Sequence, residues 1–105
     1  TAAVISTAVK ASPGQVYGIH CFNNGANEVF LRLYNQTTAP AGTDNANIVY
    51  RAMIPGNAAG AGFVVNLPQG IEHSTGIGRR VTGAVGDTDT TVLAANEVMV
   101  TVLYK

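Results

Sequence analysis

The chain has 105 residues, and six Lys plus Arg balance six Asp plus Glu for a formal net charge of zero. That length gives one domain, and the balance lacks the basic excess that displaces counterions from nucleic acid. Charged residues make up 11% of the chain and hydrophobic residues 47%, where an average soluble domain is about 25% charged, so the composition suits a subunit packed against other protein more than a free monomer with an uncharged polar surface.

In chain order the pattern is that of strands, with Val, Ile, Thr, Tyr and Phe in short runs punctuated by Gly, Pro and Asn. Residues 1–10 are expected to form an N-terminal arm or edge strand, ahead of a single domain over 11–105 that opens with the turn Ser12-Pro13-Gly14. A strand is expected at about 15–22. The turn Asn23-Asn24-Gly25-Ala26-Asn27 follows, and its Asn-Gly step suits positive φ. Further strands are expected at about 28–35 and 47–54, separated by a loop carrying Pro40, Gly42 and Asp44. Pro55-Gly56-Asn57 stops the fourth strand, and Ala58 to Gly62 make a flexible loop. A strand at about 63–67 ends at Pro68-Gln69-Gly70. A short strand at about 71–74, a longer one at about 78–85 and a last one at about 97–104 complete the set. Val92 to Asn96 can make one helical turn at most. About eight short strands predict an all-β fold, a two-sheet antiparallel β-sandwich of jelly-roll-like or immunoglobulin-like type.

Two strands are apolar on both faces. In the third, Val29, Leu31 and Leu33 share one face, and Phe30 and Tyr34 lie on the other with Glu28 and Arg32. In the last, Val98, Val100, Val102 and Tyr104 oppose Met99 and Leu103. A strand with one wet face alternates apolar with polar, so both second faces need a cover. Neighbouring subunits are the expected cover, ahead of loops of the same chain, because a short chain has little loop to spare.

The residues offer no catalytic set. Cys21 is the single cysteine and lies in the apolar run 16–22, which makes it a core residue, and its neighbour His20 points to the opposite face of the strand. The most chemistry-rich stretch is 72–91, with His73, four glycines, Arg79-Arg80 and Asp87-Thr88-Asp89. Its glycines lack phosphate-loop spacing and no helix follows them. Counting from Asp87, the positions where a calcium loop needs Gly and Glu hold Val92 and Val98. The aspartates are therefore expected to shape a turn, and Glu72 to pair with Arg79 or Arg80 across neighbouring strands. Two histidines are too few for a zinc set. No metal, cofactor or enzyme activity is expected. The sequon Asn35-Gln36-Thr37 is taken as chance. The start of the chain lacks the basic and apolar regions of a signal peptide, and no apolar run approaches membrane-spanning length. A sugar-binding module is a competitor, weakened by the absence of Trp and by only seven Phe and Tyr.

The run from Ile54 to Val65, then Pro68 to Ile77, Val81 to Val85 and Asp87 to Thr91, together with Val16-Tyr17-Gly18-Ile19, Leu33-Tyr34-Asn35 and a closing Tyr104-Lys105, resembles a group of small virion structural proteins of tailed bacteriophages. The likeness is one of turns and strand ends from about residue 13 onward, and it departs from the pattern at His73 and at Arg79-Arg80. It implies a head decoration or cement protein on the outer capsid surface of the virion, made in the bacterial host cytoplasm. Its implied partners are the major capsid protein and itself, as a homotrimer, with no direct nucleic acid and no membrane. The alternative is a tail or fibre component, host-glycan-binding. The residues expected to make the capsid or subunit contact are Ile5, Lys10, Phe30, Arg32, Tyr34, Arg79 and Arg80, with the N-terminal arm reaching onto a neighbour.

Overall fold

The structure is a computed structural model and describes residues 4–56, 61–93 and 98–105. Seven strands run in chain order as β1 (Ile5–Lys10), β2 (Gly14–Asn23), β3 (Val29–Tyr34), β4 (Ile48–Ile54), β5 (Ala61–His73), β6 (Ile77–Thr82) and β7 (Val98–Tyr104). They form two antiparallel sheets, one ordered β1-β6-β3-β4 and the other β5-β2-β7. This is the β-sandwich that the strand pattern predicts. Among the described strands, β3 and β4 are the only consecutive pair that share a ladder; every other connection passes from one sheet to the other.

Alternation explains the core. Val16 and Ile19 of β2 face Val29, Leu31 and Leu33 of β3, Ile54 of β4, and Ile77 and Val81 of β6, all at 2% exposure or less. Val65 and Leu67 of β5 and Val100 and Val102 of β7 pack on the same cluster from the other sheet. Each such side chain contributes about 1.5–3 kcal/mol when fully buried.

Four local expectations need correction. The strands predicted at 63–67 and 71–74 are one strand, β5, which passes through Pro68-Gln69-Gly70 without leaving the ladder. Gly70 makes this possible by taking φ +75°, a conformation open to glycine at little cost. The longer strand predicted to reach residue 85 ends at Thr82. Within the predicted loop, Gly42–Asn47 form a 3-10 segment, whose Asp44 accepts a hydrogen bond from Ala41 N–H at 2.9 Å. The Asn23–Asn27 turn does not use a positive-φ Gly25. Instead the buried Asn23 amide accepts from Gly25 N–H at 2.8 Å and donates to Asn27 O at 2.9 Å. The single turn predicted at 92–96 and the loop at 58–62 fall largely outside the described residues.

Gly70→Ala is expected to destabilise the fold by about 1–2 kcal/mol, the usual left-handed penalty for a residue with a Cβ. The new Cβ would also stand 3.1 Å from the Tyr17 ring. Urea unfolding of the two proteins measures the difference.

Candidate interaction surface

The two outer faces of the sandwich are treated differently by the chain. On the four-stranded sheet, Arg32 of β3 projects outward and is nonetheless 1% exposed. Residues 83–87 wrap around its guanidinium. Nη1 donates to Thr82 Oγ1 at 2.8 Å, and Nη2 donates to the carbonyls of Ala84, Val85 and Gly86 at 3.1, 2.9 and 2.7 Å. Asp87 closes the wrap, with Oδ1 3.5 Å from Arg32 Nε and both oxygens bound by Arg51 of β4 at 2.8 and 2.7 Å. The carbonyls drawn to Arg32 are the reason that β6 stops at Thr82.

A second loop covers the β1, β6 and Tyr34 part of that face, and Val49 and Met53 of the edge strand β4 stay exposed. Ser6 donates to Pro40 O at 2.5 Å, and Pro40 lies against Gly78, where a Cβ would stand 2.8 Å from its ring. Gln36 donates to Thr38 O and Asp44 Oδ2, both at 3.1 Å, and accepts from Asn47. Tyr34 lies beneath at 0% exposure. On the second face of β3, Arg32 and Tyr34 are therefore covered by loops of the same chain, which corrects the expectation of a neighbouring subunit over those two, while Phe30 keeps part of its surface beside the exposed Met53 of β4.

The three-stranded sheet has no such cover among the described residues. Its outer face presents Phe22 of β2 (45% exposed), Val64 of β5 (63%), and Met99 and Leu103 of β7 (68% and 44%). Register makes these one surface. Phe22 lies opposite Met99, His20 lies between Val64 and Thr101, and Gly18 lies between Asn66 and Leu103. Glycines 18 and 62 keep it low, since a Cβ on Gly62 would stand 2.0 Å from Cys21 O. Tyr17, beside Gln15 and Gly70, extends the face at one end.

The expected contact residues separate accordingly. Arg32 and Tyr34 are buried in the chain itself, as is Arg80 at 2%, whose guanidinium donates to Asp89 O. These three side chains offer no surface, so their assignment as contacts is corrected; loop closure over them is the physical reason. Ile5, Lys10 and Phe30 keep part of their surface, and Lys10 donates to Lys105 O at 3.1 Å. Ile5–Lys10 form an edge strand paired with β6. Arg79 lies between the sheets and donates to Val100 O at 2.6 Å. The chain-order pattern did not single out Phe22 or Val64, and the open face appears only once β2, β5 and β7 are aligned.

The stretch 72–91 resolves into structure. His73 is fully buried, with Nδ1 2.9 Å from Ile71 O, and burial lowers its pKa. Asn35 holds the following turn, accepting from Thr75 N–H at 2.8 Å and donating to Ser74 at 3.0 Å. Asp89 shapes a turn as expected, accepting from Ala84 N–H and Thr91 N–H, both at 3.1 Å. Asp87 instead forms ion pairs. Glu72 lies in the other sheet from Arg79 and Arg80, so the pairing expected for it does not form; the ion pairs among the described residues are Arg32–Asp87 and Arg51–Asp87. Cys21 faces inward, and burial pushes its thiol up to about 11, against a smaller opposing effect of Arg79. His20 faces outward, away from it. No group of three or more metal-ligating side chains occurs among the described residues. No helix among them is long and apolar enough to cross a membrane. No family model, curated protein or solved structure matches this chain.

Arg32→Met is expected to cost about 3 kcal/mol or more, because it strands Thr82, three carbonyls and Asp87 under the loop. Thermal or urea unfolding reads it. Hydrogen bonds and charge from Arg51, and then Arg32, hold the Asp87 carboxyl below the usual range. A depressed folded pKa gives stability that is complete above the unfolded value of about 3.9 and is lost as pH falls through the folded value. Asp87→Asn is thus expected to flatten the decline in stability between about pH 5 and pH 2. Asp44 and Asp89, which are also lowered, retain the remaining slope.

Proposed function

We propose that this chain is a structural virion protein, a decoration or cement protein that binds the outer head surface and stabilises contacts between capsomers. The observation that carries the reading is the contrast between the two outer faces. On one, the chain's own loops close over Arg32 and Tyr34 and leave Val49 and Met53 of β4 exposed at its edge, while the other has no loop among the described residues and leaves Phe22, Val64, Met99 and Leu103 in water. A largely apolar, uncharged sheet face on a chain so poor in charge is a surface for protein. The resemblance of its turns and strand ends to small phage virion proteins names the kind of assembly. The partners in this reading are the major capsid protein and further copies of the chain, as a homotrimer.

The size of the face suits such a role. Three strands about 4.8 Å apart and some nine residues long, at about 3.4 Å each, cover on the order of 400 Å². A standard stable interface takes about 800 Å² per partner. One copy therefore attaches weakly, and many copies on one shell act together. Added burial across capsomer seams opposes the outward pressure of packaged DNA. A second reading, a glycan-binding tail or fibre component, draws on one feature. At the end of the same face Tyr17 stands with Gln15 and Glu72, an aromatic ring beside an amide and an acid.

The test is the number of copies per purified particle, counted by quantitative mass spectrometry against the major capsid protein. Hundreds in fixed ratio are expected, and a handful would move the chain to the tail or a vertex. In reconstitution onto stripped particles, Val64→Lys with Met99→Lys is expected to lower occupancy at least tenfold while leaving the melting temperature within a few degrees, as exposed substitutions do. Unchanged occupancy would remove the open face from the contact.

A further inference from the structure

The margin where β1 and β7 lie is a second unfinished part of the sandwich. Each is the last strand of its sheet, and the ladders of the described residues do not join them. Between them is a cleft of about 350 Å³, lined by residues 7–9 of β1, by Arg79, and by residues 100–102 of β7.

The β7 side of the cleft is a row of backbone groups. Lys105 exchanges both backbone hydrogen bonds with Gln15 of β2, and successive residues alternate in direction along the strand, so the peptide groups of Val100 turn away from the β2 ladder, and its O accepts from Arg79. Residues two apart on an antiparallel strand turn the same way, which places Val98 and Val102 on that free edge too. Such an edge takes an added strand readily.

Arg79 has few partners for an inward-facing cation. Arg32, buried under a loop on the outer face, has Thr82, three carbonyls and a carboxylate. Arg79 has Val100 O, its Nε is buried with no acceptor, and no carboxylate pairs with it among the described residues. Burial disfavours its charged form. A guanidinium in that position gains from an incoming carboxylate, whose two oxygens match its fork of donors.

We infer that the β1–β7 cleft is a docking groove for an extended segment of another protein, which adds to the free edge of β7 and sets one carboxylate against Arg79. A second copy of the chain does not supply that segment from its described residues. Asp44, Asp87 and Asp89 are committed to their own loops, Glu72 stands on the outer face of β5 opposite Gln15, and Glu28 lies outside the strands. The groove is distinct from the open sheet face and does not depend on the role proposed for it.

The probe is a fluorescein-labelled seven-residue peptide of alternating threonine and valine with a central glutamate, titrated with the full chain by fluorescence anisotropy. Its twin carries glutamine in place of the glutamate. The glutamate peptide is expected to bind at least tenfold more tightly than the twin, and to slow amide exchange at Val98 and Val102. Arg79→Met, checked for folding by circular dichroism, is expected to erase the preference. Val100→Pro, at a position whose N–H lies outside the β2 ladder, is expected to weaken both peptides at least tenfold. Equal affinities of the two peptides for the unaltered chain would overturn the inference, as would no binding of the glutamate peptide at millimolar protein. Each of those results would make Arg79 a guard that shields the edge of β7.

Discussion

The fold depends on how Arg32 is satisfied. A guanidinium on the outer face of a central strand has to reach water or be given acceptors, because an unpaired buried charge costs several kcal/mol. Here the chain brings the acceptors to it. Ala84, Val85 and Gly86 turn their carbonyls inward, Thr82 adds its hydroxyl, and Asp87 neutralises the charge while holding Arg51 of the next strand. That one constraint ends β6, fixes the path of residues 83–87 and closes the four-stranded sheet over Arg32. The loop around Pro40 and the 3-10 segment covers Tyr34 and Gly78 on the same face through Ser6, Gln36 and Asp44.

The loop residues used on that side leave little for the other. A chain of 105 residues with seven strands has two substantial loops in its described part, and both lie over the four-stranded sheet. The three-stranded sheet keeps an apolar outer face interrupted by His20, Asn66 and Thr101. Those polar residues carry an imidazole, an amide and a hydroxyl rather than fixed charges, so the surface has little charge to desolvate on contact. The same economy leaves the β1–β7 margin unclosed, with Arg79 as its one charged lining residue.

The candidate site was partly legible. The two-faced pattern of β7 marked Met99 and Leu103, which do lie on the open face. The same pattern in β3 marked Phe30, Arg32 and Tyr34, and there it led to the opposite outcome, because whether a loop folds back depends on contacts between residues some 50 positions apart. Phe22 and Val64 gave no signal of their own. Each becomes part of a surface only through its register with Met99 and with His20.

The sequence by itself determined the class of fold, the inward rows of Val, Ile and Leu, and the scarcity of charge, since a period of two and the composition are local properties that any register preserves. It also placed most turns, because Pro and Gly limit backbone angles wherever they stand. The tertiary structure alone decided that Pro68-Gln69-Gly70 would stay inside a strand, that Asp87 would bind arginines while Asp89 shaped a turn, and which outward residues the loops would cover. Those outcomes rest on pairing between distant segments, where the energy of a buried cation and its acceptors outweighs the local preference of any one residue.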